Sequence, residues 1–500
     1  MNLKKHLPWL GALLPIANTQ AETKPNVVII YIDDMGIGDI GCYGGKFAPT
    51  PNIDRLAEEG ARFENFYCVS PVCSPARASL LTGRIPSQHG VHDWIRGGNV
   101  GSDAIEYLQG LRGYTEDLSE AGYQCALSGK WHLGDSANPQ KGFQYWYTHQ
   151  MGGGTYYHAP MIKNGELIEE EGYVTDAITD NAIEFMQKMN EDDAPFYLSV
   201  HYTAPHSPWT RENHPEELRN LYKDCRFESC PRKELHPWAI FSTAHDAVTR
   251  KDIEHPEECL RGYYAAVTGV DRGVGKIMDE LQKLGIDDNT LVIYTADNGF
   301  NCGHHGIWGK GNGTFPMNMY DTSIKVPLII WHPDRIREKT VIRNMLSAYD
   351  IKPTLLEYVG IEQTEDETLP GSSFLDVLEG NGQDQGGEDM VVVFDEYGPV
   401  RMIRTETDKY ICRYPYGPDE YYDLVNDPEE ENNLIEAADV QERVLFLKRQ
   451  MESWFEKYTD PDRDGRLEGV TGNGQLGLAG KYSTQSRTYE PLGYEQRIRV

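Results

Sequence analysis

Positive charge is scarce in this chain. Lysine and arginine together number 47 against 78 aspartates and glutamates, a formal net charge of −31 over 500 residues. With no overall cationic field to attract phosphate, nucleic acid is excluded as the expected ligand. Long apolar runs are also missing. The N-terminal run Leu7–Ala17 is too short to span a bilayer, and no later stretch is apolar enough to do so. Internal repeats are absent. Cysteine is sparse, nine in all, and an odd number leaves at least one outside any intrachain bridge.

Lys4 and Lys5, the apolar run and the small residues ending at Ala21 make a secretory signal peptide, which holds no cysteine for a lipid anchor. The expectation is an exported protein, periplasmic or secreted, where disulfides are permitted. Cys225 and Cys230, in C-R-F-E-S-C, are the expected bridge.

A hydrophobic content of 39% suits a soluble globular enzyme, and 500 residues exceed what one core fills. Strands are expected at 27–32, 124–128, 196–202, 291–296 and 326–331. Helices are expected at 52–59, 115–121, 175–189 and 257–284. Near-continuous Val/Ile/Leu strands alternating with helices predict an α/β fold, a large, mainly parallel sheet covered by helices. Residues 380–388 read as a linker. Strand-like runs at 390–394, 400–404 and 409–413 and a helix at 440–458 then predict a small α+β subdomain of antiparallel sheet plus helix. The expected division is a signal peptide 1–21, a main domain 22–380 and a C-terminal subdomain 389–500. The tail from Thr459 is polar and Gly-rich and suggests no function.

The most informative run is Val72-Cys73-Ser74-Pro75-Ala76-Arg77-Ala78-Ser79-Leu80-Leu81-Thr82-Gly83-Arg84. Pro75 suits a first helical turn, 76–81 is good helix-forming sequence, and Gly83 ends it. Cys73 therefore lies at or just before a helix N-terminus, where free N–H groups favour an anion. Arg77, one turn on, adds a fork of donors suited to a tetrahedral oxyanion. The alternative is a buried or bridged Cys73, with Cys68 close by.

Two acidic clusters stand at strand ends. Residues 27–32 run into Asp33-Asp34-Met35-Gly36, and 291–296 run into Asp297-Asn298-Gly299. Adjacent strand residues point to opposite faces, so Asp33 and Asp34 share a site only where the backbone turns, a turn assigned to Gly36 and Gly38. Sites in parallel sheets form outside the carboxyl ends of the strands. Carboxylates with an amide oxygen suit a hard cation, Ca²⁺ over Mg²⁺. On its own, D-N-G also marks a hairpin turn, but Gly303-His304-His305-Gly306 after it is no returning strand.

The Cys73 run resembles the signature of type I sulfatases, in the alkaline-phosphatase superfamily. Gly129-Lys130-Trp131-His132-Leu133-Gly134, Ala204-Pro205-His206-Ser207-Pro208 and Gly309-Lys310-Gly311 resemble further motifs of that family, in the family's order. The resemblance implies an alkaline-phosphatase-like fold. It implies that a maturation enzyme converts Cys73 to formylglycine, whose hydrate is the nucleophile. It implies one calcium held by Asp33, Asp34, Asp297, Asn298 and modified Cys73. Arg77, Lys130 and Lys310 would grip sulfate oxygens, His132 would assist the nucleophile, and His206 would protonate the leaving alcohol. His201 competes with His206 for that last role, and Lys325 with Lys310.

An anionic sulfate ester needs a local cationic pocket on so acidic a chain, and these residues would supply it. His92, Trp94, Arg96, His149 and His305 are candidates for binding a sulfated carbohydrate, since Trp faces stack on sugars and Arg or His bind anionic groups. Two other readings remain: a phosphonate or phosphodiester hydrolase of the same superfamily, and a catalytically silent carbohydrate-binding protein.

Overall fold

Three long strands carry only buried residues. They are β1 (Asn26–Asp33), β7 (Phe196–Pro205) and β8 (Thr290–Ala296). Such strands need cover on both faces, and they occupy the middle of a ten-stranded sheet. The computed structural model describes residues 24–240, 253–333, 335–363, 367–380, 393–484 and 486–493. The expected signal peptide and residues 381–388 of the expected linker lie outside them.

The other strands of this sheet are β2 (Ala61–Tyr67), β3 (Gln124–Gly129), β4 (Tyr145–His149), β5 (Ala159–Lys163), β6 (Glu166–Glu170), β9 (Leu328–Trp331) and β10 (Thr340–Ser347). Their order is β10-β2-β9-β8-β1-β7-β3-β4-β5-β6. The central run from β8 to β4 is parallel throughout. The margins are mixed: β9 is antiparallel to both β8 and β2, and β5 and β6 continue β4 as antiparallel strands. At the β5–β6 corner, Asn164 and Gly165 both take positive φ, the two-residue turn that closes a hairpin.

Two groups of helices pack on this sheet. The 28-residue helix Glu257–Leu284 lies with helix Val174–Met189 against β7. Its Asp271 accepts hydrogen bonds from the main-chain N–H of Asn52 and Ile53, both at 2.9 Å, which satisfies the first turn of helix Pro51–Glu58. Helix Cys73–Thr82 packs with helices Tyr114–Glu120 and Ile351–Tyr358, and all ten of its residues are buried.

The C-terminal part is a four-stranded antiparallel sheet of β11 (Val393–Tyr397), β12 (Val400–Arg404), β13 (Asp408–Arg413) and β14 (Glu420–Asp423). Helix Gln441–Tyr458 packs on it through Val444, Leu447, Met451 and Phe455. Arg401 locks this sheet to the main domain. Its guanidinium is fully buried over the Phe455 ring, 3.0 Å from Glu396 and 2.9 Å from Asp464, and it also donates to the Ser87 hydroxyl. Ser87 in turn donates to Glu396 through its hydroxyl and its main-chain N–H.

Removing the cation would leave two buried carboxylates without it. Arg401→Ala should therefore cost about 3–5 kcal/mol, the range for breaking a buried pair from one side. Denaturant unfolding measures this, and a loss below about 1 kcal/mol would contradict it.

Candidate active site

In the β1–β8 register Ile32 stands opposite Ala296, so Asp33 and Asp297 emerge side by side at the carboxyl edge of the sheet. The turn that brings Asp34 back to the same point is made by Asp34 itself, at φ 63. It is not made by Gly36, whose φ is −71; a side chain there would meet the Asp39 carboxylate. The Asp34 N–H donates to Asp297 at 3.2 Å. Asp33, Asp34 and Asp297 are all buried, each with a carboxylate oxygen within 4.8 Å of the others'. The Asn298 amide donates to Asp34 at 2.8 Å. Its own oxygen, like one oxygen of Asp33, is buried without a hydrogen-bond partner.

Around the acids stand three cations from three parts of the chain. Arg77, one turn into the helix that Cys73 opens, donates to Asp297 at 2.8 Å and lies 3.8 Å from Asp33. Lys130 reaches Asp33 at 2.5 Å from just beyond β3. Gly129 makes that possible: it sits at φ 117, and a Cβ there would lie 1.9 Å from the His201 carbonyl that the Lys130 N–H bonds. Lys310 bonds Asp34, brought beside the Cys73 helix because the Gly311 N–H donates to the Pro71 carbonyl. Lys325 is elsewhere, bonded to Asn65.

Cys73 is the first residue of its helix and is 3% exposed. Burial pushes its thiol up, Lys130 and Lys310 pull it down, and Asp33 and Asp297 push it up again, so the sulfur lies within the field of the whole cluster. Burial alone would raise Asp33 and Asp34. Lys130 for the first and Lys310 for the second, with His206 acting on both, hold them below the usual carboxylate range. Asp297 is raised, by burial and by repulsion from Asp33. Burial would lower Lys310, but Asp34 and its neighbours raise it.

Two imidazoles complete the ring. His132 Nε2 is 2.9 Å from the Ile95 carbonyl. A carbonyl only accepts, so Nε2 carries the hydrogen, and buried, unpartnered Nδ1 keeps its lone pair. Burial and the charge of Lys130 keep this ring neutral. His206 donates from Nδ1 to the Ser207 carbonyl at 2.8 Å, and its partly exposed Nε2 points at Asp34, 3.8 Å away. Tyr156 OH fixes the loop by donating to the His206 carbonyl at 2.6 Å. His201 bonds the Lys130 carbonyl instead.

The candidate substrate-binding residues separate. His149 ends β4; its neighbour Thr148 stands opposite Gly129, which sets His149 level with Lys130. Burial, Lys130 and His206 push its pKa to about 3, and neither ring nitrogen has a partner. Trp94 and Arg96 lie against the C-terminal tail, bonded to the carbonyls of Gly472 and Asn473. His92 is buried, in the field of Glu468, Arg401 and Asp464, and His305 stacks on Tyr320 at 3.7 Å. Neither touches the acidic cluster in any described contact. The expected Cys225–Cys230 bridge is absent: all nine cysteines are free, and the Cys230 thiol pairs with the Tyr264 hydroxyl at 3.4 Å. That leaves Cys73 free.

Sequence reasoning missed Ser74, whose hydroxyl donates to the His132 carbonyl, and Gly152. A Cβ on Gly152 would fall 2.2 Å from the His132 ring. Gly152-Gly153-Gly154 was a visible signal, because a side-chain-free run suits close backbone approach.

A model of the sulfatase family matches residues 25–361, which contain every acid and cation of this cluster. The chain belongs to the sulfatase family. It is a sulfuric ester hydrolase of the alkaline-phosphatase superfamily. A second model, the C-terminal region of N-sulphoglucosamine sulphohydrolase, matches residues 303–457. Among curated relatives, an N-acetylglucosamine-6-O-sulfatase of Bacteroides thetaiotaomicron is 29% identical over 91% of this chain and 90% of its own. The sulfatase YidJ of Escherichia coli is 30% identical over 88% of both chains. A structure solved in complex with its substrate D-glucosamine-2-N,6-O-disulfate superposes with a TM-score of 0.71. It is 28% identical and covers 89% of this chain and 100% of that one.

The sulfatase's Gly152 tests the role of His132 without touching it. Gly152→Ala should lower kcat by about tenfold or more, part of the 10²–10⁴ a positioned proton-transfer group supplies. Stability should fall by about 1–3 kcal/mol, the cost of forcing a side chain against a packed ring. Unchanged kcat with the ring displaced would contradict this.

Proposed function

We propose that this enzyme is exported and releases sulfate from sulfated carbohydrate, using residue 73 as formylglycine and one calcium ion. The observation that carries the reading is the buried ring of Arg77, Lys130 and Lys310 around Asp33, Asp34 and Asp297 at the N-terminus of the Cys73 helix.

The donor set fits calcium. Asp33, Asp34, Asp297 and Asn298 offer only oxygens, and two of those oxygens are buried without partners. Calcium bound there would supply two further positive charges and polarise a sulfate oxygen. Formylglycine at residue 73 supplies, as its hydrate, a hydroxyl nucleophile that a buried, protonated thiol does not. Two signs support that modification: the signature run and the helix N-terminus, whose N–H groups favour developing negative charge.

The chain's own groups divide the remaining work. The three acids and three cations balance, so a divalent ion makes the pocket net positive on a chain that is otherwise strongly acidic. Arg77, Lys130 and Lys310 bind and orient the sulfate oxygens, and their charge counters what develops on those oxygens at the transition state. Nδ1 of His132 accepts a proton from the nucleophile. Nε2 of His206, on the partly exposed side, delivers one to the departing alcohol oxygen. Burial of the cluster keeps bulk water from screening these charges.

The relatives' names support a sulfated amino sugar, and 6-O-sulfated N-acetylglucosamine is the substrate class assigned here. A maturation enzyme would act on Cys73 before the buried site closes over it.

Enzyme co-expressed with a maturation system should release sulfate from 6-O-sulfated N-acetylglucosamine and leave phosphodiesters largely intact. The peptide spanning residue 73 should show the mass of formylglycine. Cys73→Ser should be inactive with its fold intact. Full activity of that variant, or a preference for phosphodiesters, would sink the reading.

A further inference from the structure

The C-terminal tail, which the sequence left without a role, threads back into the main domain. Gln475 is fully buried there, 383 residues from His92 in the segment it binds. Its side-chain oxygen accepts from the His92 N–H at 2.9 Å and the Asp93 N–H at 3.4 Å. Its side-chain nitrogen donates to the Gly90 carbonyl at 3.0 Å and the Gly477 carbonyl at 2.9 Å. Its main chain pairs in parallel with Ile95: Gln475 N–H donates to the Trp94 carbonyl and Arg96 N–H to the Gln475 carbonyl, both at 2.8 Å. Tyr489 backs Gln475 from the other side.

In a parallel pair the residues flanking Ile95 turn their polar groups toward Gln475, so Ile95 turns its own away. Both of those groups reach the catalytic machinery. The Ile95 carbonyl accepts from His132 Nε2 at 2.9 Å. The Ile95 N–H donates to the Ser74 hydroxyl at 2.9 Å, and that hydroxyl donates to the His132 carbonyl at 3.0 Å. Ile95 thus grips His132 at its ring directly and at its main chain through Ser74, the residue after Cys73.

We propose that Gln475 is a positioning residue for His132: by fixing residues 92–96 it sets the carbonyl that holds the proton on Nε2 and so keeps the lone pair on Nδ1. The tail is then part of the active-site architecture, holding in place the backbone that holds His132. The inference rests on the reading of His132 as a proton acceptor, and the test separates the two.

The full chain is prepared as wild type, Gln475→Ala, His132→Ala and the double variant, with kcat normalised to formylglycine content. With 6-O-sulfated N-acetylglucosamine, Gln475→Ala should lower kcat by about tenfold or more and leave KM within about twofold. In the His132→Ala background the same substitution should cause no further loss, because its effect passes through that ring. Losses that multiply, or a change confined to KM, would overturn the proposal.

A second readout needs no turnover. In protein labelled with ¹⁵N-histidine, the His132 Nδ1 resonance, assigned by difference with His132→Ala, should be that of an unprotonated nitrogen. It should move in Gln475→Ala; an unmoved resonance would overturn the proposal. If His132→Ala alone keeps full kcat, the catalytic reading of His132 fails, and the resonance decides the positional claim. Should Gln475→Ala not fold, Gln475→Met, which keeps the bulk of the side chain but neither its acceptor nor its donor, takes its place with the same expected outcomes.

Discussion

Three carboxylates buried within a few ångströms of one another are the constraint from which the rest of this molecule follows. Charges taken out of water cost several kcal/mol each unless paired and hydrogen-bonded. Two adjacent parallel strands that both run into aspartate deliver Asp33 and Asp297 to one point, and the left-handed turn at Asp34 adds the third. That arrangement persists only with equal positive charge close by. Arg77, Lys130 and Lys310 supply it, each from a separate part of the chain and each in direct contact with one of the acids. Their placement explains features that would otherwise look unrelated. Gly129 lets the Lys130 backbone meet β7, Gly311 docks Lys310 on Pro71, and the helix carrying Arg77 is buried on every side.

The same balance accounts for a strongly acidic protein acting on an anionic group. A net charge of −31 repels anions at long range. At the site the field is local, because the cations are buried and little screened by water. The imidazoles follow this logic. Positive neighbours and burial keep His132 neutral, as a proton acceptor requires. His206 is the partly exposed one of the two, its Nε2 3.8 Å from Asp34.

Much of this was legible in the sequence because its signals are local. Apolar strands running into Asp-Asp and Asp-Asn marked both the sheet and its functional edge. The Cys73 run marked a helix start, and it is one. Expectation and structure part where position depends on contacts distant in sequence. Gly36 looked like the turn residue, yet Asp34 makes the turn, because its N–H bonds Asp297 across more than 260 residues. Cys225 and Cys230 looked paired by spacing, but the Cys230 thiol pairs with the Tyr264 hydroxyl. His305 followed the second acidic cluster closely, but its positive φ turns the ring onto Tyr320. The tail offered no periodicity at all; Gln475 is one glutamine in a Gly-rich run, and only the fold reveals its partners.

Everything proposed for the chemistry depends on the acidic cluster accepting a hard divalent ion beside residue 73. Calorimetric titration of the metal-stripped full chain with Ca²⁺ tests this most directly, alongside Asp297→Asn, which keeps the shape but removes one charged ligand. The account predicts one calcium per chain, with affinity at least about tenfold weaker in the variant, as losing a ligand's contribution should cause. No calcium binding, or equal binding by both proteins, would contradict it.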